Sequence, residues 1–137
     1  MEYLDDLTPA ERRVYDQLIT TKSYIEIMAD LGLTIGGVRF HVNNIFNKTG
    51  FESRLDIVCD YYQESDRVLT IPNNIDLTIH RDSEVFTLAV NGHKLIHSAR
   101  IMGVSETFIR ISRARIYKKF GVKNALELVH KCYGVEV

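Results

Sequence analysis

Slid against itself by 71 positions, the 137-residue chain matches itself without a gap. Val14 falls on Val85, Ile25 on Ile96, Gly32 on Gly103 and Arg39 on Arg110. Ile45 falls on Ile116, Lys48 on Lys119, Gly50 on Gly121, Leu55 on Leu126, Val58 on Val129 and Tyr62 on Tyr133. Tyr15/Phe86, Leu31/Met102, Thr34/Ser105, Val38/Ile109 and Phe46/Tyr117 are conservative pairs between them. A repeat of this kind decides the architecture before any local reading, because whatever one copy folds into the other must fold into as well. The expected organisation is a first unit at 1–64, a polar linker at 65–77 that contains Pro72-Asn73-Asn74, and a second, more divergent unit at 78–137.

Each unit reads as four short helices. Thr8-Pro9-Ala10-Glu11 combines an N-cap, a proline at the first helical position and a glutamate placed to close a capping box. Val14, Tyr15, Leu18 and Ile19 then recur at helical spacing. A second helix is expected over Tyr24–Leu31, ended by Gly32, and a third over Ile35–Thr49, capped by Thr34 and stopped by Gly50. Ser53 caps a fourth that runs through Tyr62. The second unit repeats the plan at Arg81–Val90, Leu95–Met102, Glu106–Phe120 and Asn124–Tyr133, with no capping box at its opening. The fold class is therefore all-α, two tandem four-helix units, with Arg67–Ile71 the one candidate strand.

Net charge is −1, a total that hides an asymmetry. Residues 1–70 carry 12 acids against 7 bases, whereas residues 71–137 carry 6 acids against 10 bases. The excess concentrates at Arg110, Arg113, Arg115, Lys118, Lys119 and Lys123, which implies an anionic partner for the second half. The 45% hydrophobic and 26% charged composition is that of a folded globular chain. No apolar run approaches the roughly 20 residues of a membrane span. Cys59 and Cys132 form no CxxC or metal-spaced cluster and read as reduced thiols, so the expected location is cytoplasmic. The five histidines form no HExxH or Cys/His ligand set, and no phosphate-cradling or nucleophile motif is present. No catalytic, cofactor-binding or metal-binding residue is assigned, and the chain is expected not to be an enzyme.

Two helices joined by a glycine turn, the second capped by Ser or Thr, make a helix-turn-helix candidate. Leu31-Gly32-Leu33-Thr34 is one such turn and Met102-Gly103-Val104-Ser105 the other. The first unit resembles the DNA-binding domain of the LuxR/GerE family. The resemblance is carried by Leu7-Thr8, Glu11-Arg12, Val14, Leu18, Ser23, Glu26-Ile27, Leu31-Gly32-Leu33-Thr34, Val38, His41, Asn44-Ile45, Lys48, Gly50, Ser53-Arg54 and Val58. The second unit resembles it more weakly, through Glu84-Val85, Gly92, Ala99, Met102-Gly103-Val104-Ser105, Thr107, Ile109-Arg110, Ile116, Lys118-Lys119, Gly121-Val122 and Leu126-Glu127-Leu128-Val129. His97-Ser98 stands where the family usually has Glu-Ile, and Gly37 and Phe108 replace its usual threonine. Gly36-Gly37 either lets the helix end approach phosphates closely or is drift in a packed helix.

The resemblance implies a sequence-specific, double-stranded DNA-binding transcriptional regulator whose third helices enter the major groove. In the first unit the expected contacts are Thr34, Arg39, Phe40, Asn43, Asn44, Asn47 and Lys48, a set able to fork onto guanine, pair with adenine and meet a thymine methyl. In the second they are Ser105, Arg110, Ile111, Arg113, Ala114, Arg115, Lys118 and Lys119, a face richer in charge and suited to gripping phosphates. The fourth helix is the family's dimer contact. Leu55, Cys59 and Tyr62 are therefore expected to face Leu126, His130 and Tyr133, as a pseudo-dimer within one chain or as a homodimer between chains. Only six residues precede the first unit, so no sensory domain is expected. Two alternatives use the same fold differently: a module docking on the transcription machinery, with RNA polymerase as partner, and a DNA-packaging or replication adaptor.

Overall fold

The structure, a computed structural model, describes residues 2–135. Among the described residues it contains eight α-helices, two 3-10 turns and no strand. Residues 67–71, the candidate strand, are irregular backbone: Thr70 N–H donates to the Cys132 carbonyl at 2.8 Å, one bond rather than a ladder. The chain divides into two compact units, Met1–Ser65 and Asp66–Val137.

In the first unit, α1 (Pro9–Leu18), α2 (Tyr24–Leu31), α3 (Ile35–Thr49) and α4 (Arg54–Gln63) start where their caps dictate. Thr8 and Glu11 form the expected capping box. Ser23/Glu26 and Ser53/Asp56 form two more, each satisfying two backbone donors that a helix start would otherwise leave bare. The apolar faces close on a core of Val14, Tyr15, Leu18, Ile27, Val38, Val42, Ile45 and Ile57, with α1 laid against α3. Arg54 opens α4 and closes α1, because its guanidinium donates to the carbonyls of Leu18 at 2.9 Å and Thr20 at 2.8 Å. A 3-10 turn, Glu2–Asp6, precedes α1. Tyr3 from this turn sits edge-on to Tyr15 and Phe51 and donates its hydroxyl to Asp60 at 2.6 Å.

The second unit repeats the plan as α5 (Asp82–Val90), α6 (Leu95–Met102), α7 (Glu106–Phe120) and α8 (Ala125–Cys132). Its opening is the divergent part. The 3-10 turn Ile79–Arg81 leads into α5, and His80 and Arg81 hold φ of 52° and 64°, a strained conformation for residues with a side chain. No side chain caps α5; instead Ser83 N–H donates to the carbonyl of the buried Leu77. The core gathers Val85, Phe86, Ala89, Ile109, Ile116, Phe120, Leu128 and Val129, with Phe86 stacked on Phe120 at 5.5 Å between ring centres. Ser98 is fully buried at the position that Ile27 fills in the first unit. Its hydroxyl has no hydrogen-bond partner among the described residues.

Candidate nucleic-acid interface

Both helix-turn-helix elements are built by the same local chemistry. Gly32 (φ 64°) and Gly103 (φ 66°) end α2 and α6 in the left-handed conformation, which a Cβ would oppose. Leu33 N–H then returns to the Met28 carbonyl and Val104 N–H to the Ala99 carbonyl, each at 3.0 Å. One residue on, the Thr34 hydroxyl accepts from Gly37 N–H at 3.0 Å and the Ser105 hydroxyl from Phe108 N–H at 3.1 Å. The two turns thus aim α3 and α7 by equivalent bonds. At Gly36 an added Cβ would meet only Thr34 Oγ1 at 3.9 Å; at Gly37 it would crowd the same oxygen at 3.3 Å.

Val38, Val42 and Ile45 are buried along α3, which turns Arg39, Phe40, Asn43 and Asn47 outward and leaves Asn44 half-buried. Along α7 the buried residues are Ile109, Ser112, Ile116 and Phe120, and Arg110, Ile111, Ala114 and Lys118 face out at the matching positions. Phe40 is 62% exposed and Ile111 57%. Arg39, Asn43, Asn47 and Lys118 make no side-chain hydrogen bond or ion pair among the described residues, so their donors face outward unused. Arg110 has a single loose partner, Glu106 at 4.0 Å.

The other cations on these helices are held inside their own units. Lys48 Nζ sits 2.6 Å from the buried Glu11 carboxylate and 3.2 Å from the Asp6 carbonyl. The hydrogen bond from Lys48, assisted by the Thr8 N–H, holds the Glu11 carboxyl below its usual range. Shifted by 71 residues, the same pair is Asp82 and Lys119, and there it has grown into a cluster. Arg115 grips Asp82 with two bonds of 2.7 Å, Ser112 donates at 2.6 Å, and Lys119 lies 4.0 Å away while donating to the Asp76 carbonyl at 2.6 Å. Burial alone would raise the Asp82 pKa; the bonds from Arg115 and Ser112 and the charges of Arg115 and Lys119 outweigh it, and the net shift is downward. Arg113, half-buried, donates to the His93 carbonyl at 2.7 Å. Of the cations counted from the sequence on α7, Arg110 and Lys118 remain directed outward. For Lys48 and Lys119 a signal was present in the repeat, which aligns an acid on the first helix, Glu11 or Asp82, with a lysine on the third; for Arg113 and Arg115 the repeat gives none.

On the fourth helices, Cys59, Tyr62 and His130 are buried, and Leu55, Leu126 and Tyr133 are half-buried. Burial pushes the Cys59 thiol up to about 12 and that of Cys132 to about 11, which keeps both protonated and unreactive near neutral pH. No group of three or more His, Cys, Asp and Glu among the described residues could hold a metal ion. No helix among them is long and apolar enough to cross a membrane.

Glycine-turned helix pairs with a capped third helix and a polar outward face define helix-turn-helix units. Residues 77–132 match the sequence model of the bacterial regulatory proteins of the luxR family, a DNA-binding regulatory family. The match lies within the second unit, the one expected from sequence to resemble the family more weakly; the family model does not match the first unit. No curated protein and no solved structure matches the chain.

Proposed function

We propose that the chain is a cytoplasmic, sequence-specific double-stranded DNA-binding transcriptional regulator that reads DNA with two tandem helix-turn-helix units. The observation that carries this reading is the equivalence of α3 and α7. Each is launched by the same glycine turn and Ser/Thr cap, and each turns an Arg and a large apolar residue outward at the same register. Thr34 and Ser105 lie at the helix starts, where N–H groups attract phosphate oxygens. Arg39, Phe40, Asn43 and Asn47 then supply base contacts in the first unit, and Arg110, Ile111 and Ala114 form the second reading surface, with Lys118 gripping a phosphate beside it. Because the two faces differ, the operator is two unlike half-sites rather than a perfect palindrome. Half-buried Leu55 on α4, and Leu126 on α8 with Tyr133 just past its end, carry the pairing surface of this reading, within one chain or between chains; Cys59, Tyr62 and His130 are already buried in the single chain. Sedimentation of the protein alone and on DNA separates those arrangements.

The test is recovery of genomic fragments bound by the full chain at physiological salt, followed by sequencing. One shared sequence motif supports the regulator, and Arg39→Ala should then cost about 1–3 kcal/mol and relax preference at one position. Recovery of no DNA together with co-purifying RNA polymerase would replace this reading with that of a docking module, for which the acidic balance of the first half is the motivating observation.

A further inference from the structure

The outer faces of α3 and α7 have diverged almost everywhere. Asn43 corresponds to Ala114, Asn44 to Arg115 and Asn47 to Lys118. One couplet has not: Arg39-Phe40 corresponds to Arg110-Ile111, and in both units the large apolar member stands more than half exposed. Single exposed apolar residues are ordinary on protein surfaces. Two on the outward faces of equivalent helices, each beside an outward arginine and amid changed neighbours, are not core residues; Ile25 and Ile96 form a second exposed pair of the repeat, on α2 and α6, without such an arginine partner beside them in sequence. Aromatic contact accounts for little of it, because Phe40 meets only the ring of its neighbour His41, edge-on at 5.5 Å.

We infer that Arg39-Phe40 and Arg110-Ile111 each read a pair of adjacent base pairs, a G·C and a T·A. This deepens the DNA-binding reading proposed above and rests on it. The arginine forks onto guanine O6 and N7, and the apolar side chain covers the neighbouring thymine 5-methyl. Successive side chains leave an α-helix about 100° apart and about 1.5 Å along its axis, so the arginine and its apolar neighbour diverge onto different base edges rather than the same one. Chemistry favours this target over phosphate, because an exposed Phe or Ile gains nothing from an anion but buries against a methyl. The amides Asn43 and Asn47 add adenine contacts beside the couplet in the first unit alone, which is what makes the half-sites unlike.

The full chain should therefore select, from a random duplex pool, sites whose two halves each contain a T·A next to a G·C. Replacing each such thymine by deoxyuridine removes the methyl and nothing else. Wild-type protein should lose about fourfold in affinity per half-site, the value of one buried carbon. Phe40→Ala should bind the thymine and uracil forms of one half-site alike while still discriminating at the other, and Ile111→Ala should show the converse. Both side chains are exposed, so both variants should keep the wild-type circular dichroism spectrum. Indifference of the wild type to uracil, or full discrimination retained by both variants, overturns the couplet while leaving DNA binding intact. Failure to select any sequence overturns the DNA-binding reading and the couplet with it.

Discussion

Asp82 is the most consequential single carboxylate in the chain, and Asp82→Asn measures why. Its side chain is wholly buried and receives two bonds from Arg115 and one from Ser112. Breaking a buried charge pair by removing one partner costs about 3–5 kcal/mol, because the remaining charge is left uncompensated. The Arg115 side chain keeps 30% of its exposure, so water recovers part of the loss and the expected cost is about 3 kcal/mol. Glu11→Gln is the matched control: it preserves the carbonyl oxygen that caps α1 and removes one charge-assisted bond from a single, partly exposed lysine, at a cost of about 2 kcal/mol. Amide hydrogen exchange resolves the two units, with Ile116 reporting on α7 and Ile45 on α3. Asp82→Asn should lower protection at Ile116, and Glu11→Gln should act on Ile45 alone. Both carboxyls are held below their ordinary range, so the stability they confer is complete above the unfolded-state values near 4 and is lost as pH falls through the lower folded values. Wild type and Asp82→Asn should accordingly converge in acid. Undiminished protection at Ile116 in Asp82→Asn at neutral pH would refute the argument that this cluster holds the second unit.

Ser98→Ala should stabilise the second unit by about 1 kcal/mol in urea unfolding, because it removes a buried hydroxyl that has no partner among the described residues. Gly36→Ala should also stabilise, by about 0.5 kcal/mol or more, since its Cβ meets only ordinary contact. If that glycine serves close approach to a phosphate, the same variant binds DNA more weakly while melting higher; unchanged affinity identifies it as drift. Lys118→Ala should weaken binding to all sequences alike and lower the salt slope by about 1, measured by fluorescence anisotropy over a salt series. Lys119→Ala should leave that slope in place and reduce stability, because Lys119 is tied to the Asp76 carbonyl and to Asp82.

The helices were legible because their starts and stops are chemical. Thr8, Thr34, Ser53, Ser105 and Asn124 each accept a hydrogen bond at an N-cap, and glycines at positive φ end α2, α3, α6 and α7. The beginning of α5 was less so, since no side chain caps it and the chain turns instead through His80 and Arg81 at positive φ, a conformation that residue type does not advertise. Neither did sequence show that 65–77, expected as linker, carries bonds of its own, such as Thr70 to Cys132. On the third helices, Val38, Val42 and Ile45 and the repeat counterparts Ile109 and Ile116 are buried at helical spacing. What periodicity could not separate was a free cation from a committed one. Arg115 and Lys118 are both bases on the same helix, and only the fold decides that Asp82 lies beside the first and, among the described residues, no ion-pair partner beside the second.

That distinction changes what kind of DNA binding the chain can support. If every base on the third helices met a phosphate, nonspecific attraction would dominate and sequence would matter little. With Lys48, Arg113, Arg115 and Lys119 engaged inside their units, the outward cations of α3 and α7 are Arg39, Arg110 and Lys118. With Arg39 and Arg110 assigned to bases, Lys118 is the one of these three left for a phosphate, which implies a slope of log affinity against log salt of only about −1 from these helices. The acidic balance of residues 1–70 subtracts further from long-range attraction. If the chain binds DNA as proposed, base edges would supply a larger share of what these two helices contribute than charge does. On the proposed DNA-binding reading, the same internal ion pairs reduce the charge available to phosphates, and the exposed Arg-Phe and Arg-Ile couplets are the residues on which sequence contrast would depend.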